Sequence, residues 1–133
     1  MNLLLDTNTL LWAMDDSRRL PEQVLVRLRN ADNRVYFSTA SIWETAIKSG
    51  RGRASFRIDA WRLAQDAGRS GIQELPVTSY LASRVAYLPH HHKDPFDRLI
   101  VAQAMELPAR LLTADRMLQQ YSELVEVFEA LPQ

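Results

Sequence analysis

The residues with chemistry to offer are a handful of acids. Asp6 directly follows three leucines in LLLDTNTLLWAM, and Asp115 follows another apolar run in LLTADRML. Glu44 lies in STASIWETAIKSGRG, behind VYFS. Asp94 and Asp97 stand close together in HHHKDPFDRLIVAQA. Carboxylates gathered in one place repel one another, lose hydration and hold their protons to higher pH. A divalent cation relieves those costs. Oxygen ligands in a chain without cysteine suit Mg²⁺ or Mn²⁺. An ion held in this way activates water near neutral pH and offsets charge on an attacked phosphorus.

Each acid also has a plainer use, because helix starts favour Asp and Glu. Asp6 and Asp115 are good N-caps. Ser41-Ile42-Trp43-Glu44 matches a capping box, in which Glu44 reaches back to the cap. If that helix begins earlier, at Ser38 or Thr39, Glu44 instead shares a face with Ser41 and Lys48. Asp94-Pro95 pairs an N-cap with a first-turn proline, which leaves Asp97 as the third helical residue.

These acids act together only if the fold gathers them. Asn2–Leu5 reads as a short buried strand, and Thr7–Asp15 as a helix with Leu10, Leu11 and Met14 on one side. Pro21 opens a second helix carrying Val24, Leu25 and Leu28. Val35–Phe37 is a β-branched and aromatic strand, and Ser38–Ser49 a helix ended by Gly50. Arg51–Ser55 reads as a basic loop, and Ile58–Ser70 as a helix that Gly71 stops. Ile72–Leu75 is a brief strand closed by Pro76, and Thr78–Leu88 a helix ended by Pro89. Asp94–Leu107 is an amphipathic helix. Leu111–Thr113 (strand), Arg116–Tyr121 (short helix) and Val125–Phe128 (strand) complete the chain. Short apolar strands alternating with helices predict an α/β fold with a mainly parallel sheet of four to five strands. Ligands of such sheets sit beyond the carboxyl ends of the strands, where Asp6 and Asp115 fall.

At 133 residues the chain suits one domain, residues 1–133, with a core of its own. Its 47% apolar content is that of a globular chain. The lack of cysteine excludes disulfides and thiolate metal sites, and fits a reducing cytoplasm. Asp6 and the lack of a basic leading stretch argue against a signal peptide, and no run is long enough to span a membrane. Sixteen basic and 16 acidic residues balance, which excludes nucleic-acid binding by bulk charge alone. The charge is unevenly spread, with a basic middle from Lys48 to Arg69 and an acidic tail after Asp115. His90-His91-His92 point in three directions, so a loop is expected rather than one shared ion.

The segments LLLDTNTLLWAM, STASIWETAIKSGRG, HHHKDPFDRLIVAQA and LLTADRML, taken in order, resemble the PIN-domain family, and within it the VapC-type toxins of toxin–antitoxin modules. The resemblance covers nearly the whole chain. It implies a PIN-like three-layer α/β/α sandwich and a small Mg²⁺- or Mn²⁺-dependent endoribonuclease. It also implies a cognate antitoxin, a homodimer and no membrane. It carries Asp6, Glu44, Asp97 and Asp115 over as the metal-holding acids, the last at the family's more variable position. Thr7, Asn8 and Thr113 match small polar positions that orient the acids. Asp94 belongs to a DPFDR signature and reads as the helix cap. The family's Gly-Lys-Leu-like turn after the second acid is here GRGRASF.

Around these acids, Lys48, Arg51, Arg53 and Arg57 could meet RNA phosphates or dock an acidic partner. Arg98 could pair with an acid or a phosphate, or face solvent. His92 could lie near the acids and assist substrate binding. Trp12 and Trp43 are expected to pack or to line a partner groove rather than to stack on bases. Leu10, Leu11, Val24, Leu25 and Leu28 could form an apolar groove for the antitoxin's tail.

Two other enzyme classes that start with a strand and an Asp fit less well. A haloacid dehalogenase-type phosphatase needs D-x-D-x-T, but that spacing gives Asp6, Asn8 and Leu10 here. A response-regulator receiver needs an acidic pair after the first strand and an Asp after the third, and both are missing. A PIN-like module that binds RNA or a partner without cutting is the non-enzymatic alternative.

Overall fold

The structure, a computed structural model, describes residues 1–50 and 58–133. Arg51, Arg53, Arg57 and most of the GRGRASF segment lie outside the described residues. Five strands form one sheet: β1 (Asn2–Leu5), β2 (Arg34–Ser38), β3 (Gln73–Leu75), β4 (Arg110–Thr113) and β5 (Val125–Val127). They are ordered β3-β2-β1-β4-β5, and every pairing is parallel. The helices are α1 (Thr7–Asp15), α2 (Glu22–Arg29), α3 (Thr39–Gly50), α4 (Ala60–Arg69), α5 (Ser79–Arg84) and α6 (Pro95–Glu106).

The leucines of β1 explain the layers. Side chains alternate across a strand. Leu3 and Leu5 pack with Leu10 of α1, Val24 of α2 and Leu63 of α4 on one face. Leu4 packs with Ile100, Val101 and Ala104 of α6 on the other. All three leucines are completely buried. A central strand covered on both faces is an unbroken apolar run, so LLL shows no polar alternation. The result is the expected PIN-like three-layer α/β/α sandwich.

β1 is also where the strand order reverses. The chain steps from β1 to β2 and β3 on one side, then returns to β4 and β5 on the other. In sheets of this kind ligands bind beyond the carboxyl ends of the strands at such a switch point, here the ends of β1 and β4. No helix among the described residues is long and apolar enough to cross a membrane.

Most boundaries fall within two residues of expectation. Gly71 takes a positive φ of 87° just after α4, the backbone state that stops a helix at glycine. The helix expected over Thr78–Leu88 instead stops at Arg84 and tightens into a 3-10 turn, Val85–Tyr87. The cause lies across the fold, where the Arg98 guanidinium takes the carbonyls of Val85 and Leu88.

Candidate active site

The register of β1 with β4 sets the first acid. Leu5 pairs with Leu112, which brings Asp6 beside Thr113. Asp6 is buried, and its Oδ1 accepts hydrogen bonds from Thr9 N (3.0 Å) and Thr9 Oγ1 (2.6 Å). Its Oδ2 accepts from the Thr113 hydroxyl. Thr113 Oγ1 in turn accepts from Asp115 N at 3.0 Å, so one hydroxyl ties the ends of β1 and β4 together. Asp6 therefore caps α1 and is also a rigidly held carboxylate. Burial raises its pKa above 3.8 and the charge of Glu44 adds to this, while the bonds from Thr113 and Thr9 oppose it.

Glu44 is placed by where α3 begins. Ser38 Oγ accepts from Ala40 N at 3.0 Å, so the helix is capped there and starts at Thr39. Glu44 is then one turn in, on the face of Ser41 and Lys48. It is buried, and its Oε1 accepts from Thr7 Oγ1 at 2.6 Å, with Ser41 Oγ 2.9 Å from that hydroxyl. Lys48 Nζ donates to Oε2 at 2.6 Å. The capping-box use of Glu44 is excluded by this start.

Asp94 caps α6, its Oδ1 accepting from Phe96 N (2.8 Å) and Asp97 N (3.2 Å). That sets Asp97 in the first turn of the helix. The pKa of Asp97 is pushed up to about 7. Burial is the largest cause, followed by the charges of Asp94, Asp6 and Glu44, with His92 acting against them. Asp97 thus feels the other acids through a poorly solvated site.

His92 completes the cluster. Its Nε2 lies 2.9 Å from Asp115 Oδ2 and 3.7 Å from Asp97 Oδ2. Asp94 N donates to its Nδ1 at 3.0 Å, so the ring proton sits on Nε2 and is given to Asp115. One ligand atom each from His92, Asp97 and Asp115 lie within 4.8 Å of one another. Asp115 also caps the next 3-10 turn through Met117 N at 2.9 Å.

The four acids expected from the sequence therefore lie in one neighbourhood at the carboxyl ends of β1 and β4. Asp97 and Asp115 meet through His92, Asp6 is linked to Asp115 through Thr113, and Glu44 is coupled by charge to Asp6 and Asp97. Thr7 and Thr113 touch acids as expected. Asn8 does not. It is exposed, and among the described residues it bonds to none of them, because the capping bond of Asp6 goes to Thr9 at the third helical position. Thr9 is the residue that reading missed, and its signal was an Asp with a Thr three places on. Ser41 stands on the Glu44 face, as the earlier helix start implies.

Two basic residues differ from expectation. Lys48 is held on Glu44 rather than standing free. Arg98 is not a phosphate contact. Its side chain is buried, and its guanidinium donates to the carbonyls of Pro89 (2.9 Å), Val85 (3.0 Å) and Leu88 (3.3 Å). Trp12 packs edge-on against Phe128, as expected of a packing residue, whereas Trp43 is 59% exposed.

A family model described as the PIN domain matches residues 3–124. Among solved structures, a chain of the crystal structure of VapBC2 from Rickettsia felis bound to a DNA fragment from their promoter has a TM-score of 0.66. The two are 13% identical, and the alignment covers 98% of this chain and 99% of that one. At that identity the likeness concerns the fold. No curated protein matches the chain. The family match takes in Asp6, Glu44, Asp97 and Asp115 together with the strands and helices that carry them, and the chain belongs to the PIN domain family.

Proposed function

We propose that this chain is a Mg²⁺- or Mn²⁺-dependent endoribonuclease and the toxin of a toxin–antitoxin pair. The observation that carries the nuclease reading is Asp97, whose proton is held to about pH 7 by burial and by three neighbouring carboxylates. Such a gathering of partly buried carboxylates favours a cation. The donor set is oxygen-rich and free of thiolate, which fits a hard divalent ion. Asp6, Glu44, Asp97 and Asp115 would hold it, and His92 Nε2 stands beside the last two. Once bound, the ion would activate water for attack on a phosphodiester and offset charge on the phosphate, giving 5′-phosphate and 3′-hydroxyl ends.

The chain's own groups prepare that site. Thr9 and Thr113 aim both oxygens of Asp6, and Thr7 aims Glu44. Lys48 pairs with Glu44 and sets a cation beside that acid. The toxin role rests on the resemblance to VapC-type toxins. Leu25 and Leu28 line an open cleft of about 420 Å³ with Met14 and Ile72, which would suit an apolar antitoxin segment. Leu10 and Val24, by contrast, belong to the core. A homodimer in the cytoplasm fits the same reading.

Expression of the wild-type chain should arrest growth and generate new RNA 5′-phosphate ends, and the purified protein should lose cleavage on chelation and regain it with Mn²⁺. RNA cleavage that persists in EDTA would sink the metal mechanism, and RNA binding without cutting would favour the non-catalytic module. Thr113→Val should weaken Mn²⁺ binding by about 10–100-fold with the fold intact, read by calorimetric titration and circular dichroism. Unchanged affinity would remove Thr113 from the site.

A further inference from the structure

By distance alone His92 belongs on the ion. Its Nε2 and one oxygen each of Asp97 and Asp115 lie within 4.8 Å of one another. The hydrogen bonds of the ring point the other way. A histidine binds a metal through a bare ring nitrogen and gives its other ring N–H to a carboxylate, a carbonyl or water. His92 has the opposite surroundings. Its Nδ1 faces a donor, the N–H of Asp94, at 3.0 Å. A neutral ring that accepts at Nδ1 carries its proton on Nε2. That nitrogen has no lone pair for an ion, and its proton goes to Asp115 Oδ2 at 2.9 Å.

Moving the proton to Nδ1 would set two N–H groups against each other in the turn that starts α6. The same turn carries the Asp94 cap, whose Oδ1 accepts from Phe96 N and Asp97 N. His92 is also held from behind, its own N–H donating to the Tyr121 hydroxyl at 2.9 Å. The ring therefore joins the start of α6, which carries Asp97, to Asp115 just beyond β4. Asp115 has most need of such a tie. Asp6 and Glu44 are buried, whereas the Asp115 side chain is 35% exposed. Met117 N holds its Oδ1, and the imidazole holds its Oδ2. A carboxylate oxygen has two lone pairs, so Oδ2 can accept from His92 and still face an ion.

We propose that His92 is a positioning residue and not a metal ligand: through Nε2–H it aims Asp115 at the ion, its tautomer is fixed by the Asp94 N–H, and the four acids supply oxygen alone. This rests on the metal-dependent reading above. The first test is pulsed electron paramagnetic resonance of Mn²⁺ on wild type labelled with heavy nitrogen in its histidine rings. The coupling of a directly bound imidazole should be absent, and its presence would overturn the proposal. The second is Mn²⁺ titration of two variants, each checked for folding by circular dichroism. The amide N–H of His92→Gln reaches the place of Nε2–H, whereas the shorter amide of His92→Asn stops near Nδ1. His92→Asn should bind Mn²⁺ about 10–100-fold more weakly, and His92→Gln should stay close to wild type. Equal losses in the two variants, or no loss in His92→Asn, would also overturn it. Wild type that takes up no Mn²⁺ sinks both readings, whereas a bound imidazole sinks only this one.

Discussion

Asp97→Asn is expected to cut metal-dependent RNA cleavage on the order of 10³-fold while making the metal-free protein more stable at pH 8. Both effects come from the same carboxyl. Its pKa moves from 3.8 to about 7 in the folded chain, through burial and then the charges of Asp94, Asp6 and Glu44. The folded chain thus keeps this proton to higher pH than the unfolded chain does. For such a group, metal-free stability is full below about pH 4 and falls as pH rises through 7. At pH 8 the lost stability is on the order of 2–4 kcal/mol. Asparagine has nearly the same shape and never ionises. The variant should match wild type in thermal melts near pH 4 and melt higher at pH 8 in EDTA. Mn²⁺ should raise the wild-type melting temperature at pH 8 and leave the variant almost unmoved, since a lost ligand is lost linkage. A variant that melts lower at pH 8, or that still cleaves RNA, would remove Asp97 from the centre of the site.

The parts of this site that could be read in advance are those set by local rules. LLL before Asp6 predicts a strand buried on both faces, and the topology then puts Asp6 at the switch point. Asp94-Pro95 predicts the start of α6 and hence where Asp97 lies. Glu44 was open to two readings, and one bond, Ala40 N to Ser38 Oγ, decides between them by starting α3 early. What stayed hidden depends on distant segments meeting. Nothing local shows that Arg98 will find the carbonyls of Val85 and Leu88, whereas the Lys48–Glu44 pair follows from their i,i+4 spacing once α3 starts at Thr39. His92 is expected near the acids from its place in the chain, but its partners are set by the turn before α6, where Nδ1 accepts from Asp94 N and Nε2 meets Asp115. Asn8 and Thr9 differ by a single place on one helical turn, and only the cap geometry of Asp6 separates them.

Arg98→Met should destabilise the protein by about 3–5 kcal/mol, the largest stability loss expected from any single polar side chain described above. Methionine keeps the apolar stem and removes every donor. The half-buried Val85 and Leu88 and the exposed Pro89 then lose the donor to their carbonyls, and each hydrogen bond to the charged guanidinium is worth about 1.5–3 kcal/mol, least at Pro89 where water can replace it. Arg98→Lys should recover little, because one ammonium does not reproduce a planar fork reaching several carbonyls. The consequence extends to the site, since the clamped stretch Val85–Pro89 leads directly into His90–His92. Tyr121 strengthens that link, its hydroxyl accepting from His92 N at 2.9 Å and lying 3.4 Å from Arg98 Nη1. Loosening the clamp frees His92 from Asp115 and Asp97, so the folded fraction of Arg98→Met should also bind Mn²⁺ more weakly. Urea unfolding and Mn²⁺ titration of the same samples separate this from a phosphate-binding arginine. An arginine that held substrate would leave stability within about 0.5 kcal/mol of wild type and raise only KM. A buried clamp does the reverse, which makes Arg98 a support of the acid cluster through the chain it holds rather than through anything it touches in the substrate.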